Sequence, residues 1–159
     1  DSIDEFCMKM MHDYQGKEFK SISDDDLDLE TQDEKEEIET LTKENQSVLD
    51  TMKQALGEKV TAVQFTSRLK SHPCCLTTKG MLSLEMEKVL NQQPGQEKIH
   101  AERVLELNAE HPIFQKLKTA NQDTLAKYAA VLYAQAQLIE GLPLEDPVAY
   151  ANTVCELLV

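Results

Sequence analysis

The chain has 159 residues, 41% of them hydrophobic, enough apolar side chain to fill one ordinary core. Its 29 acidic residues outnumber 16 basic ones, for a formal net charge of −13, and the Lys and Arg are scattered rather than gathered in a patch, which argues against nucleic acid and anionic membranes as partners. No run approaches the roughly 20 apolar residues that span a bilayer, no basic-then-apolar leader opens the chain, and the four cysteines, at 7, 74, 75 and 155, lack Cys-x-x-Cys spacing. The expectation is a soluble, unexported protein in a reducing, cytoplasm-like compartment.

Ser2 and Glu5 have capping-box spacing at the very start, and Ile3, Cys7, Met10 and Tyr14 follow at helical intervals up to Gly16, read as the stop. A helix signal this early, with Asp1 rather than Met in first place, points to a segment of a longer chain. A brief strand is expected at 19–23. Residues 24–39 then hold ten acids against one base, Lys35, a pattern read as a solvated linker rather than a cation or partner site. Thr31 and Glu34 repeat the capping box. Beyond them Ile38, Leu41, Asn45, Val48, Met52 and Ala55 alternate spacings of three and four up to Gly57, predicting one long amphipathic helix. The polar Asn45 in its seam favours packing on a sheet over a coiled coil.

Residues 60–66, with Val63 and Phe65 on one face, 76–78 and 104–107 have β-branched and apolar content in short runs. Helices interrupt them, so the expected class is α+β, with a small mixed sheet of three to four short strands. Between Gly80 and Pro94, Leu82, Met86, Val89 and Leu90 follow the i, i+4, i+7, i+8 rule, and Met81 and Leu84 add apolar surface. This predicts a short amphipathic helix over 81–91 on loose joints, suited to core packing or to adaptable contact with apolar partners. Pro112 begins a short helix through Phe114 and Leu117. A long helix over 121–140 follows, and then a terminal one capped by Asp146 with Pro147 at its first position.

From Ala129 to Ile139 there is no charge, and beyond the Asp146 cap Glu156 is the terminal helix's only charge. Two helices joined by a short turn cannot cover such surfaces on each other alone. They pack either onto the sheet and the 32–56 helix, or into a four-helix bundle built from two copies. For chemistry the chain is poor. Its five glycines are isolated, so there is no phosphate-cradling loop. His72, Cys74 and Cys75 lack the four pairwise-spaced ligands of a closed zinc site, and no Ser, His and acid arrangement stands out. No catalytic residue, cofactor or metal ligand is expected.

Several separate stretches resemble the ninety-kilodalton heat-shock chaperone family in its bacterial HtpG-like branch: the opening Ile3, Asp4, Glu5 and Phe6, then Gly16 and Lys17, GEKVTAVQFTSRL at 57–69, VLELNAEHPI at 104–113 and the closing EDPVAYANTVCELLV. The resemblance runs through the whole chain in order. It implies that 1–16 is the end of a middle domain and 17–159 a C-terminal dimerisation domain. In that domain 121–159 forms an intersubunit four-helix bundle, with Leu125, Tyr128, Leu132, Ala136, Ile139, Val154, Leu157 and Leu158 at the homodimer interface. It further implies that the 81–91 helix is exposed and holds non-native client proteins through Met81, Leu82, Met86, Val89 and Leu90.

Family members hydrolyse ATP with magnesium in an N-terminal domain, using residues none of which lie in this chain; the fragment is expected to be no enzyme and to carry no cofactor. The chain ends in Leu157, Leu158 and Val159 rather than the Met-Glu-Glu-Val-Asp tail of eukaryotic cytosolic members. That favours a bacterial or organelle-type origin and puts helical-repeat co-chaperones in doubt. The resulting expectation is a dimerisation and client-contact domain of a cytoplasmic, ATP-dependent chaperone that assists protein folding under stress. The alternative is an acidic helical adaptor binding one defined protein partner.

Overall fold

The computed structural model describes residues 4–11, 13–19, 31–80, 82–92 and 99–159. In chain order these form α1 (Asp4–Met11), β1 (Asp13–Tyr14), β2 (Lys17–Glu18), α2 (Gln32–Glu44), α3 (Gln46–Leu56), a short 3-10 turn (Gly57–Lys59), β3 (Ala62–Thr66), β4 (Cys74–Lys79), α4 (Leu84–Asn91), β5 (Glu102–Asn108), α5 (Ile113–Thr119), α6 (Gln122–Ile139) and α7 (Pro147–Leu158). The class is α+β, with sheets of two and three strands. Ser2 of the first capping box and Ile3 beside it, positions 20–23 of the expected strand, the acidic run before Thr31, and Met81 and Pro94 lie outside the described residues. The chain divides into two compact units, one from residues 1–28 and 77–102, the other from 29–76 and 103–159.

In the first unit α1 packs against α4. The opening helix stops at Met11, and Tyr14, expected on its apolar stripe, belongs instead to the hairpin β1–β2, in register Asp13↔Glu18 and Tyr14↔Lys17. Gln15 and Gly16 both have positive φ, 53° and 77°, the geometry a two-residue hairpin turn demands. Gly16 therefore turns a hairpin and does not end a helix. The expected strand start at Phe19 falls just beyond β2, which ends at Glu18.

In the second unit the predicted long helix is two helices. Asn45 is buried, with φ −119° and ψ 21°, and its side-chain Nδ2–H donates to the Leu41 carbonyl at 2.8 Å. A buried amide that bonds the preceding turn competes with the helical ladder and breaks it there. The break also rotates the buried face. Leu49, Met52 and Leu56 of α3 enter the core while Ala55 is exposed, and α2 buries no residue. The capping box ahead of α2 is present as expected. Thr31 Oγ1 accepts the Glu34 N–H at 3.3 Å, and a Glu34 carboxylate oxygen accepts the Thr31 N–H at 2.8 Å. These bonds, backbone first and then side chain, hold the Glu34 carboxyl below its ordinary 4.5.

The larger sheet has the order β3-β5-β4, with β3 and β5 parallel and Gln64 opposite Glu106. The strands run slightly wider than the sequence runs 76–78 and 104–107, because flanking polar residues also join the ladders. The middle strand β5 is buried on both faces from Val104 to Asn108, the position where strands lose their polar alternation. On one face Leu105 and Leu107 lie beside Phe65, whose ring meets Phe114 of α5 edge to face at 4.9 Å. On the other, Glu106, 1% exposed, takes hydrogen bonds from Arg68 at 2.5 Å and Gln64 at 3.1 Å. α3 lies against β3 and α6, so the core of this unit sits between α3, α6 and the sheet.

Two outcomes follow for stability. Arg68→Ala removes the cation paired with the buried Glu106 carboxylate, so it lowers unfolding free energy by about 3–5 kcal/mol, read from urea denaturation of the purified chain. The lowered Glu34 value means its capping contribution is present above the unfolded carboxyl's range and is lost as pH falls through the folded value. Glu34→Ala therefore reduces thermal stability at neutral pH and leaves it unchanged in acid, as followed by circular dichroism.

Candidate functional site

Two apolar surfaces are built by these elements, one in each unit. The first is the α6–α7 hairpin. Asn121 caps α6 by accepting the Thr124 N–H at 2.8 Å, and the Asp146 carboxylate caps α7 by accepting the N–H groups of Val148 at 3.0 Å and Ala149 at 2.8 Å, with Pro147 in the first turn. The two caps fix where each helix begins. Lys127 and Glu156 pair across the hairpin at 2.7 Å, an exposed contact that adds little beyond orientation.

α6 spends one side on the chain's own core. Leu125, Ala129, Leu132 and Ala136 are buried, as are Val131 and Tyr133, and Leu132 lends its carbonyl to the Cys74 thiol at 3.2 Å. Three residues expected at a dimer interface, Leu125, Leu132 and Ala136, are thus buried within the single chain. Tyr128 is half-buried and Ile139 is 51% exposed.

α7 is different, for it buries no residue at all. Its inner face, Tyr150, Thr153, Val154 and Leu157, is half-buried, and α7 packs against α6. On the opposite side Val148, Ala151, Cys155 and Leu158 recur at spacings of three, four and three, all exposed, with Val148 at 68% and Leu158 at 80%. Leu138 and Ile139 at the end of α6 are exposed as well. Of the α7 residues expected at the interface, Leu158 lies on this outer stripe, while Val154 and Leu157 turn toward the inner face. Val148 and Cys155 were legible as apolar, but a helix apolar on all sides does not reveal from periodicity which side its neighbour takes.

The second surface is α4. Ser83 caps it, accepting the Met86 N–H at 3.2 Å. Leu84 and Glu87 are buried, Met86, Val89 and Leu90 are half-buried, and Leu82 precedes the helix and is half-buried too. Four of the five residues expected to touch clients thus lie on or beside one helix, and Met81 is outside the described residues.

The remaining candidates do not converge. Cys74 and Cys75 point to opposite faces of β4, as neighbours in a strand must. The first bonds Leu132, while the second lies 3.7 Å from Glu106. Burial pushes both thiols up to about 12, far from the thiolate a metal or a nucleophile needs. His72 is exposed, its ring beside the Ser71 hydroxyl at 3.3 Å. Among the described residues no group of three or more His, Cys, Asp or Glu is placed to hold a metal ion, and no helix is long and apolar enough to cross a membrane. Gly16, Gly57, Gly80 and Gly141 each sit apart from one another with positive φ.

The sequence model of the family described as Hsp90 protein matches residues 1–159. The chaperone protein HtpG of Clostridium acetobutylicum is 50% identical over 99% of the chain, that of Oceanobacillus iheyensis 49% over all of it, and that of Bacillus subtilis 43% over all of it. The chain spans 26% of the length of each of these relatives. Matched along its whole length by the family's model and by bacterial members up to half identical to it, the chain belongs to the Hsp90 protein family, as an HtpG-like fragment.

Proposed function

We propose that this chain is the self-pairing and client-contact portion of a chaperone that assists protein folding. The observation that carries the pairing is α7, a helix of apolar composition that has no fully buried residue and presents Val148, Ala151, Cys155 and Leu158 outward. An exposed apolar band of this kind on a folded domain marks an association surface. A two-fold partner suits it, because an antiparallel hairpin set against its own copy completes a four-helix bundle. The relatives' name, chaperone protein HtpG, supports the folding role. α4 supports the client role, since Met86, Val89 and Leu90 form one stripe and a Met in it adapts to varied apolar partners.

By this reading ATP and magnesium act in the remainder of the longer protein, and pairing here keeps two such arms at high effective concentration. The compartment is bacterial cytoplasm.

Each interface residue counts twice across a two-fold axis. At about 1.5–3 kcal/mol for a buried Leu, Leu158→Glu weakens pairing by a factor of roughly 100 or more. Subunit exchange between tagged and untagged chains reads this directly. Unaltered exchange in the variant would contradict the assigned surface, while Leu132→Glu unfolds the chain instead of splitting it. For α4, replacing Met86 and Leu90 by Ser in the full-length protein reduces its suppression of aggregation of a heat-denatured protein at least twofold; an undiminished effect would remove the client role.

A further inference from the structure

α4 is tied to a neighbouring stretch of its own unit by contacts that its apolar stripe does not require. The Asn91 side chain pairs in both directions with the backbone of Ile99. Its Nδ2–H donates to the Ile99 carbonyl at 2.8 Å, and its Oδ1 accepts the Ile99 N–H at 2.9 Å. One turn earlier Glu87, 3% exposed, accepts the Ala101 N–H at 2.9 Å through one carboxylate oxygen, and its other oxygen lies 3.3 Å from His100 Nδ1. Glu87 and Asn91 are four apart and so share a helix face. Their backbone partners are two apart, so the two side chains stand in for a strand partner along 99–101.

This face adjoins the apolar stripe. Glu87 follows Met86 and Asn91 follows Leu90, each about 100° further round the helix. An eight-residue helix has little stability of its own, so its position is set by what holds it. Apolar seating resists opening in proportion to the area exposed. Polar bonds exchange their partners for water, which makes the net strength of each modest and the contact reversible.

We propose that Glu87 and Asn91 form a polar clasp that fastens α4 to residues 99–101 and limits how far Met86, Val89 and Leu90 can turn outward. They are positioning residues, and the outward turn matters for clients only if α4 is the client-contact helix, the reading given above on which this rests. The clasp itself is a statement about the opening of α4 and can be tested without a client.

Hydrogen exchange followed by mass spectrometry on the whole chain reads it. Each hydrogen bond shifts an opening equilibrium about fivefold, so Asn91→Ala, which loses two, accelerates exchange in α4 roughly 20-fold and leaves α3 and α6 unchanged. Asn91→Asp keeps the acceptor for Ile99 and loses the donor, and gives a smaller acceleration. Unchanged exchange of α4 in Asn91→Ala overturns the clasp, and so does an equal acceleration of α3 and α6, which would make Asn91 a general stabiliser. Binding of a reduced, carboxymethylated unfolded protein separates the two readings. Faster α4 exchange with tighter binding supports both, whereas faster exchange with unaltered binding keeps the clasp and overturns the client role of α4.

Discussion

Apolar surface on the last two helices exceeds what the single chain covers, and this imbalance is the constraint around which the second unit is arranged. α6 has no charge between Ala129 and Ile139, so it must be enclosed on nearly every side. α3 and the sheet take one side, where Leu125, Leu132 and Ala136 are buried. α7 takes another, and in doing so covers α6 without being covered itself. Its own outer stripe ends in water. On the proposed reading the deficit is made good by a second copy, and the fold of one chain is then half of an assembly.

The sheet makes that arrangement rigid enough to matter. β5 is enclosed on both faces, which obliges Glu106 to find a partner, and Arg68 and Gln64 supply it. A buried carboxylate so paired adds little net stability over an apolar residue of the same size, but it discriminates strongly against any register in which the pair is broken. Gln64 stands opposite Glu106 in the parallel ladder, so the ion pair and the strand register specify each other. α6 is then laid over this platform, with Asn121 and Asp146 fixing where α6 and α7 begin.

Caps and apolar periodicity were legible in the sequence because they depend on neighbours a few residues apart. Thr31 with Glu34, and Asp146 with Pro147, mark helix starts that the structure keeps, and the three strands of the larger sheet lie where β-branched and apolar runs placed them. What failed depended on information that spacing does not carry. Asn45 fits the apolar seam of a continuous helix, but its amide bonds the turn behind it and splits the helix in two. Gly16 reads equally as a helix stop and as half of a hairpin turn, and only the positive φ of Gln15 beside it decides. On α6 the pattern found the apolar residues without dividing those used within the chain from those left over. Glu87 and Asn91 gave no signal at all, because their partners are backbone groups, which every residue carries.

On the proposed reading, the outer face of α7 is covered by a second copy of this chain. Sedimentation equilibrium of the unmodified chain at micromolar concentration tests it most directly. The expected mass is twice the 18.0 kDa of one chain, falling toward the single-chain value only on strong dilution. A mass of one chain throughout the micromolar range would contradict it.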